Sequence, residues 1–487
     1  MRPLLCVTVM ADTLEGLRAA RDAVGDADLV EMRLDSVGDP RADGALAGRQ
    51  RPVIVTCRPA WEGGGFQGSE EERRAILAEA LGLGAEYVDV EMRAGFDALT
   101  TANRDRVVLS MHDFTSVPGD LDDQFSAMRR QNPAVVKVAV TPNTLDDTCR
   151  LLQLAQSVSG PGAVVWVGMG LPGLVTRVLP GRFGSAWTYS GDGVAPGQLP
   201  PDRLLGEFRF RSISAESPLY GVVGRPIGHS LSPCMHNAAF GAESLDGVYV
   251  PLEARNVDDF LQFSRVFDVK GASVTTPFKI ELASRVDEFD ELSRLVGAIN
   301  TIRFERGRLI GRNTDVPGFI APLRHRLTFD KTRAAVLGAG GAARAVAVAL
   351  RSEGADVTVY ARRPEAAREA ARPAHAAAGV IPPPRGSWDL LVNATSAGMA
   401  PRVNETPFAG GTYDGRLVYD LVYNPAETRL LREAAEQGLE TLGGLDMLVE
   451  QAALQFEWWT GRSPNRLVMR EAARSRLAQT PEGTIGQ

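Results

Sequence analysis

Cysteine is sparse in this chain: Cys6, Cys57, Cys149 and Cys234 are the only four among 487 residues. No two form a CxxC pair, and their wide spacing describes neither a disulfide framework nor a zinc site. An excess of positive charge is also lacking. Lysine and arginine number 53 against 60 acidic residues, a net charge of −7, and the arginines are dispersed. Phosphate backbones are bound by basic clusters, which excludes nucleic acid as a principal partner. No apolar run approaches the ~18 residues of a membrane span. The opening run ends by Asp12 and is too short for a signal peptide. These absences lead us to expect a cytoplasmic protein with reduced thiols, no metal, no membrane contact and small-molecule partners. Nothing in the sequence sets an oligomeric state.

What is present is enough apolar residue, 44%, to build several cores. At roughly 150 residues per domain the length predicts about three domains. The first half holds eight short β-branched runs: 5–9, 29–34, 53–58, 87–92, 107–112, 135–140, 164–168 and 185–190. Most are apolar on both faces, as buried parallel strands are. Helical stretches such as 69–83 and 145–158 separate them. Eight strand–helix units in about 210 residues fit a small (β/α)8 TIM barrel. A doubly wound open sheet is the alternative.

Residues 211–218 read as a short polar linker. A second α/β pattern follows. It has strands at 219–224, 247–251, 271–275 and 298–304, then a nucleotide-type unit from 334–337 through 356–360, 390–393 and 417–421. A late helix, 446–459, is expected to return to the first of these subdomains. We therefore expect domains at 1–210, at 219–328 with 445–475, and at 329–444. Residues 476–487 are read as a disordered tail.

In a barrel, reactive groups belong at the carboxyl ends of strands. Glu31 and Arg33, Arg58 with Glu62 just beyond, His112, Lys137 and Arg177 all fall at such positions. Lysine is almost never fully buried without a purpose. Burial, with cations such as Arg33, Arg58 or Arg177 nearby, would favour the free amine of Lys137. A neutral amine in a pocket attacks carbonyls and forms a Schiff base. The chain has only five histidines. A histidine beside such an imine can remove the adjacent proton. Arginines converging on one face predict an anionic substrate, because the guanidinium fork binds carboxylate in bidentate fashion.

The blocks Glu31-Met32-Arg33, Thr56-Cys57-Arg58, His112-Asp113-Phe114, Val136-Lys137-Val138, Met169 to Arg177 and Ala195-Pro196-Gly197-Gln198 stand in one order. Together they resemble type I 3-dehydroquinate dehydratase over residues 1–210. The resemblance implies that Lys137 forms an imine with the ketone of 3-dehydroquinate and that His112, oriented by Glu62, acts as general base and acid. It also implies that Arg177 and Gln198 bind substrate, with Glu31, Arg33 and Arg58 completing the pocket. The substrate lid departs from the family at Val194, where serine is usual.

The second half carries Gly338-Ala339-Gly340-Gly341-Ala342-Ala343 between a strand and a helix. Such glycines allow a tight turn and let the backbone approach a pyrophosphate, with Ala342 in the first helical turn. The next strand ends in Arg362-Arg363. An acid there would favour NAD, whereas two arginines suit the 2′-phosphate of NADP. Ser230 and Ser232 are hydroxyls two apart that can bind a carboxylate. Lys279 and Asp315 can form a proton-transfer pair.

With Val274-Thr275-Thr276-Pro277-Phe278-Lys279, Gly297 to Thr301, Asn313-Thr314-Asp315, Asn393 to Met399, Tyr419 to Tyr423 and Asp446 to Gln451, residues 219–472 resemble shikimate dehydrogenase. This implies substrate contacts from Ser230, Ser232, Thr275, Asn300, Tyr423, Asp315 and Gln451, with Lys279 as acid/base. It also implies a cofactor site of Gly338, Gly340, Gly341, Ala342, Arg362, Arg363 and Thr395. Ser273 and Val316 depart from the commonest pattern, in which asparagine and glycine are frequent.

The two resemblances together imply one chain that makes 3-dehydroshikimate and then reduces it to shikimate with NADP(H), using no metal or prosthetic group. The alternatives are a second half that acts on quinate or uses NAD, and a first half that serves only as a scaffold.

Overall fold

The computed structural model describes residues 2–160, 162–193 and 197–479. The chain divides into two compact units, Met1–Ser217 with Leu252–Phe267, and Pro218–Pro251 with Asp268–Gln487.

In the first unit, eight parallel strands run in the order β7-β6-β5-β4-β3-β2-β1-β8. They are β1 (Leu4–Val9), β2 (Leu29–Arg33), β3 (Val53–Thr56), β4 (Tyr87–Glu91), β5 (Val107–Asp113), β6 (Val135–Val140), β7 (Ala163–Gly168) and β8 (Trp187–Ser190). A parallel bridge from Val164 to Ser185 joins β7 to the approach to β8. Ala186 N donates to Val164 O there at 2.8 Å. The sheet therefore closes on itself as a TIM barrel, not an open doubly wound sheet. Apolar side chains such as Cys6, Ile54, Val108, Val165 and Trp187 pack in one cluster.

Local sequence fixes the outer helices. Thr144 and Asp147 form a reciprocal capping box on the helix Leu145–Ser157, which satisfies two donors that the first turn leaves unpaired. Asp259, in the helix Val257–Val266, accepts from Asp146 N at 2.9 Å. Residues 252–267 thus belong to this unit, although their place in the sequence suggested the second. The segment expected to be a plain linker is pinned. Arg211 pairs with Asp26 and Asp28, and Arg182 donates to the carbonyls of Ala215 and Ser217.

The second unit contains two six-stranded sheets. The first has the order β10-β9-β11-β13-β14-β12, from β9 (Leu219–Gly224), β10 (Val248–Glu253), β11 (Val269–Val274), β12 (Glu288–Phe289), β13 (Thr301–Glu305) and β14 (Arg308–Arg312). The second is β17-β16-β15-β18-β19-β20, from β15 (Arg333–Leu337), β16 (Asp356–Ala361), β17 (Ala377–Val380), β18 (Leu390–Asn393), β19 (Leu417–Asp420) and β20 (Glu440–Leu442). All strands in the second sheet are parallel. Its order reverses between β15 and β18, the place where doubly wound sheets bind ligands.

The helix Gly444–Thr460 packs against the helix Asp315–Ile320. The helix Arg466–Ala478 continues into the expected tail. Asn465 caps its first turn, and Met469 and Ala473 are buried. The rest of the expected tail, from 480, lies outside the described residues. Among the described residues no helix is long and apolar enough to cross a membrane, and no group of three potential ligands is placed to hold a metal.

Candidate active sites

A cavity of about 300 Å³ opens in the first unit. Every residue expected there lines it: Glu31, Arg33, Arg58, Glu62, His112, Lys137, Arg177 and Gln198. The strands explain why. Glu31, Thr56, Ser110 and Lys137 alternate with apolar residues along their strands, and register aligns Ser110 with Lys137. Val194, the departure on the lid, lies outside the described residues.

The partners of Lys137 differ from the cations expected. Its Nζ donates to Asp89 Oδ2 at 2.9 Å and to Glu31 Oε1 at 3.3 Å, and it sits 4.4 Å from the Tyr189 ring centroid. Glu31 is held by Thr8 at 2.8 Å and Thr56 at 3.0 Å. Arg58 is already paired, with Glu91 at 2.7 Å and Asp89 at 3.1 Å, and Arg33 is forked onto Asp35. Burial pushes Asp89 up, but Arg58 and Lys137 outweigh it and hold the carboxyl well below the usual range. Two of the three arginines are therefore members of ion pairs within the protein.

Arg177 is the exception. It is 2% exposed, its Nε makes no hydrogen bond, and no carboxylate faces it among the described residues. Its guanidinium makes a long contact to Tyr189 O at 3.4 Å. Burial lowers its pKa from the ordinary value to about 10. A buried cation without an ionic partner has the chemistry to take an anion.

His112 Nδ1 lies 2.9 Å from Glu62 Oε1. Burial, with Arg58 and Lys137 adding to it, drives the imidazole well below its ordinary value. Burial pushes Glu62 up to about 7. An ionised Glu62 accepts the Nδ1 hydrogen and leaves Nε2 with a free lone pair. Asp113, next in sequence, is turned away and caps Thr115 N and Ser116 N. Gln198 reaches Thr8 Oγ1 at 3.3 Å. Sequence reasoning missed Asp89, Glu91 and Thr8. A signal existed, since Asp89 and Glu91 alternate with valines in a buried strand just as Lys137 does.

In the second unit Lys279 Nζ is 2.6 Å from Asp315 Oδ2. Asn300 Nδ2 donates to Asp315 Oδ1 at 2.7 Å and to Gln451 Oε1 at 3.3 Å. Asn313 Oδ1 accepts from Asp315 N, which seats that residue at the start of its helix. The Ser230 hydroxyl accepts from Ser232 N at 3.2 Å. Thr275 follows β11, and its methyl stands where a Cβ on Gly224 would clash, at 2.4 Å. Val316 is buried behind Asp315.

A second cavity, of about 280 Å³, is lined by Tyr423, Thr395, Ala342, His229, Met399 and their neighbours. It lies at the carboxyl ends of β15, β18 and β19. Gly338 has φ +124°, and a Cβ there would meet Ala394 O at 2.9 Å, so only glycine fits. Gly340 precedes the helix Gly341–Ser352, whose N-terminal N–H groups favour an anion. Thr395 Oγ1 donates to Asn393 Oδ1 at 2.7 Å. Arg362 and Arg363 are exposed just after β16, with no side-chain partner among the described residues.

Residues 5–214 match the family model of type I 3-dehydroquinase. Residues 222–302 match the shikimate dehydrogenase substrate binding domain, and 444–474 the shikimate 5′-dehydrogenase C-terminal domain. A bifunctional 3-dehydroquinate dehydratase/shikimate dehydrogenase of Arabidopsis thaliana, described as chloroplastic, is 35% identical over 94% of this chain and 82% of its own length. An NADP(+) shikimate dehydrogenase of Methanopyrus kandleri is 40% identical over 55% of this chain and 98% of its own. The crystal structure of a shikimate dehydrogenase in complex with NADP+ aligns with a TM-score of 0.52 at 35% identity, over 54% of this chain and 97% of that one. The chain belongs to the bifunctional 3-dehydroquinate dehydratase/shikimate dehydrogenase family.

Proposed function

We propose that this chain dehydrates 3-dehydroquinate to 3-dehydroshikimate in the first unit and reduces that ketone to shikimate in the second, with NADPH. The observation that carries the first step is a buried lysine beside a neutral histidine, with one unpaired arginine in the same cavity. The Lys137 amine adds to the substrate ketone and water leaves to give an imine. Asp89 and Glu31 stay ionised, accept hydrogen bonds from the Lys137 nitrogen and stabilise the protonated imine, and Arg177 takes the substrate carboxylate. His112 Nε2 removes the proton next to the imine and returns it to the departing hydroxyl, which leaves as water. Hydrolysis of the imine frees the product and the amine. Glu62 orients His112, Gln198 contacts the substrate, and Arg33 and Arg58 shape the pocket.

In the second unit the residues fit a dinucleotide: Gly338 admits the backbone turn, and Gly340, Gly341 and Ala342 present a helix N-terminus. Arg362 and Arg363, with no acid at that strand end, favour NADP over NAD. When bound, NADPH supplies the hydride. Ser230 and Ser232 bind the substrate carboxylate, and Thr275, Asn300, Tyr423 and Gln451 orient the ring. Lys279 gives a proton to the carbonyl oxygen as it becomes a hydroxyl, and Asp315 holds Lys279 in place. Apart from residues 252–267, which go with the first unit, we read the domains as 1–210, 219–328 with 445–475, and 329–444. We place the protein in the reducing cytoplasm because all four cysteines are buried and unpaired.

Borohydride reduction with 3-dehydroquinate present tests the first step. Mass spectrometry should find a substrate adduct on the peptide bearing Lys137. An unmodified Lys137 peptide, with turnover intact, would overturn the imine.

A further inference from the structure

Behind the second site runs an unbroken series of buried hydrogen bonds whose inner members, Tyr249, Ser273 and Gln455, have no part in the proposed roles. Tyr249 Oη donates to Ser273 Oγ at 2.6 Å, and Ser273 Oγ donates to Gln455 Oε1 at 2.5 Å. Gln455 Nε2 donates to Gln451 Oε1 at 2.9 Å and to Asn300 O at 3.1 Å. Gln451 Oε1 also accepts from Asn300 Nδ2, which reaches Asp315. Tyr249, Ser273 and Gln455 are all buried, Gln455 to 1% exposure.

The polarity of the series is set by backbone groups that cannot be reversed. The carbonyl of Asn300 accepts only, so the Gln455 NH2 must face it and the Gln455 oxygen must face Ser273. Thr314 N donates to Asn300 Oδ1 at 2.7 Å, which turns the Asn300 NH2 towards Gln451 and Asp315. Gln451 therefore receives two N–H groups at its oxygen, and its own NH2, after one bond to Leu448 O at 2.8 Å, keeps a hydrogen for another acceptor. The alternative, a flipped Gln451, would set N–H against N–H in a buried place, at a cost comparable to a lost buried hydrogen bond.

We infer that Ser273 and Gln455 are positioning residues for the reductase site, fixing Gln451 with its amide NH2 free for a substrate hydroxyl and Asn300 against Asp315. Ser273 is thereby more than a smaller stand-in for asparagine. It is the group that keeps the Gln455 oxygen satisfied. This role rests on the reductase reading of the second unit.

Three variants of the full chain distinguish positioning from packing. Gln455→Glu keeps the shape but has no N–H for Gln451 or Asn300. Ser273→Ala strands the Gln455 oxygen. Tyr249→Phe removes a donor while Ser273 can still donate to Gln455. KM for 3-dehydroshikimate should rise roughly tenfold or more in Gln455→Glu and several-fold in Ser273→Ala, with kcat kept within about twofold. In Tyr249→Phe, KM should stay within about twofold of the wild type. Retained kcat also reports that the unit has folded. An active wild type with KM unchanged in the first two variants overturns the positioning role. So does a Tyr249→Phe variant as impaired as Ser273→Ala, since that ranking belongs to packing. A wild type without NADPH-dependent turnover overturns the reductase reading itself, and the role with it.

Discussion

Replacing Arg177 with methionine should make the first unit more stable and cripple its substrate binding. The guanidinium is buried, unpaired, and lowered by burial from its ordinary pKa to about 10. Each tenfold change in proton affinity is about 1.4 kcal/mol, so the fold bears about 3 kcal/mol for holding this charge at neutral pH. The sign follows from the direction of the shift. The unfolded chain binds the arginine proton more tightly, so the penalty is fully present below about pH 10 and is relieved only as pH rises beyond it. Methionine fills similar length without a charge. Some packing by the arginine stem is lost, so the gain on unfolding should be about 1–3 kcal/mol. Losing a charge-assisted, bidentate contact to the substrate carboxylate should raise KM for 3-dehydroquinate at least about a hundredfold. Urea unfolding followed on the full chain and steady-state kinetics measure the two effects. A variant destabilised by more than about 1 kcal/mol, or a KM within about threefold of the wild type, would refute the reasoning.

Other consequences follow from the same geometry. Asp89→Asn removes the acceptor nearest to Lys137 and a partner of Arg58. Breaking such a buried pair costs about 3–5 kcal/mol, to be read as loss of amide hydrogen-exchange protection in β6. Protection at wild-type levels would contradict it. Glu62 should set the acid limb of dehydration: as pH falls through about 7 its carboxyl takes a proton, donates to Nδ1 and leaves the imidazole hydrogen on Nε2. The rate should fall there, and Glu62→Gln should be slower and lack that limb; an unaltered pH–rate profile would count against the pair. His236, buried among Tyr249, Phe456 and Trp459, is pushed down to about 3 by burial, with only Gln455 opposing. The unfolded chain binds this proton below about pH 6.5, so stability falls as pH falls from there, by about 2 kcal/mol at pH 5. His236→Phe should flatten that slope in denaturant titrations; an unchanged slope would assign the effect elsewhere.

Much of the fold was legible because parallel barrel strands are apolar on both faces and leave a plain signature. Lys137 was legible for the same reason, as the one charge in such a run. The pairing of charges was not. Arg33 meets Asp35 two residues away, whereas Arg58 meets Glu91 across a strand neighbour. Only the register of β3 on β4 decides the second. Ser273 meets Gln455 across 182 residues, which no local pattern encodes. The strand at 298–304 was expected and corresponds to β13, but its hairpin partner β14 was overlooked because arginines bound it on both sides. The turn between them is carried by Arg306 and Gly307, both at positive φ, a two-residue form favoured by the twist of the strands it joins. The helix Val257–Val266 reads as an ordinary amphipathic helix of the second half. Contacts distant in sequence, Asp259 with Asp146 N and Arg182 with Phe267 O, place it with the barrel.

The central claim is that two independent sites act in succession in one chain. Its most direct test is the coupled reaction: 3-dehydroquinate and NADPH with wild type, with Lys137→Ala, with Lys279→Met, and with the two variants mixed. The wild type should produce shikimate. Lys137→Ala should leave 3-dehydroquinate untouched yet still reduce added 3-dehydroshikimate. Lys279→Met should accumulate 3-dehydroshikimate, and the mixture should restore shikimate. A wild type that consumes no NADPH, or a single substitution that abolishes both steps, would contradict the account.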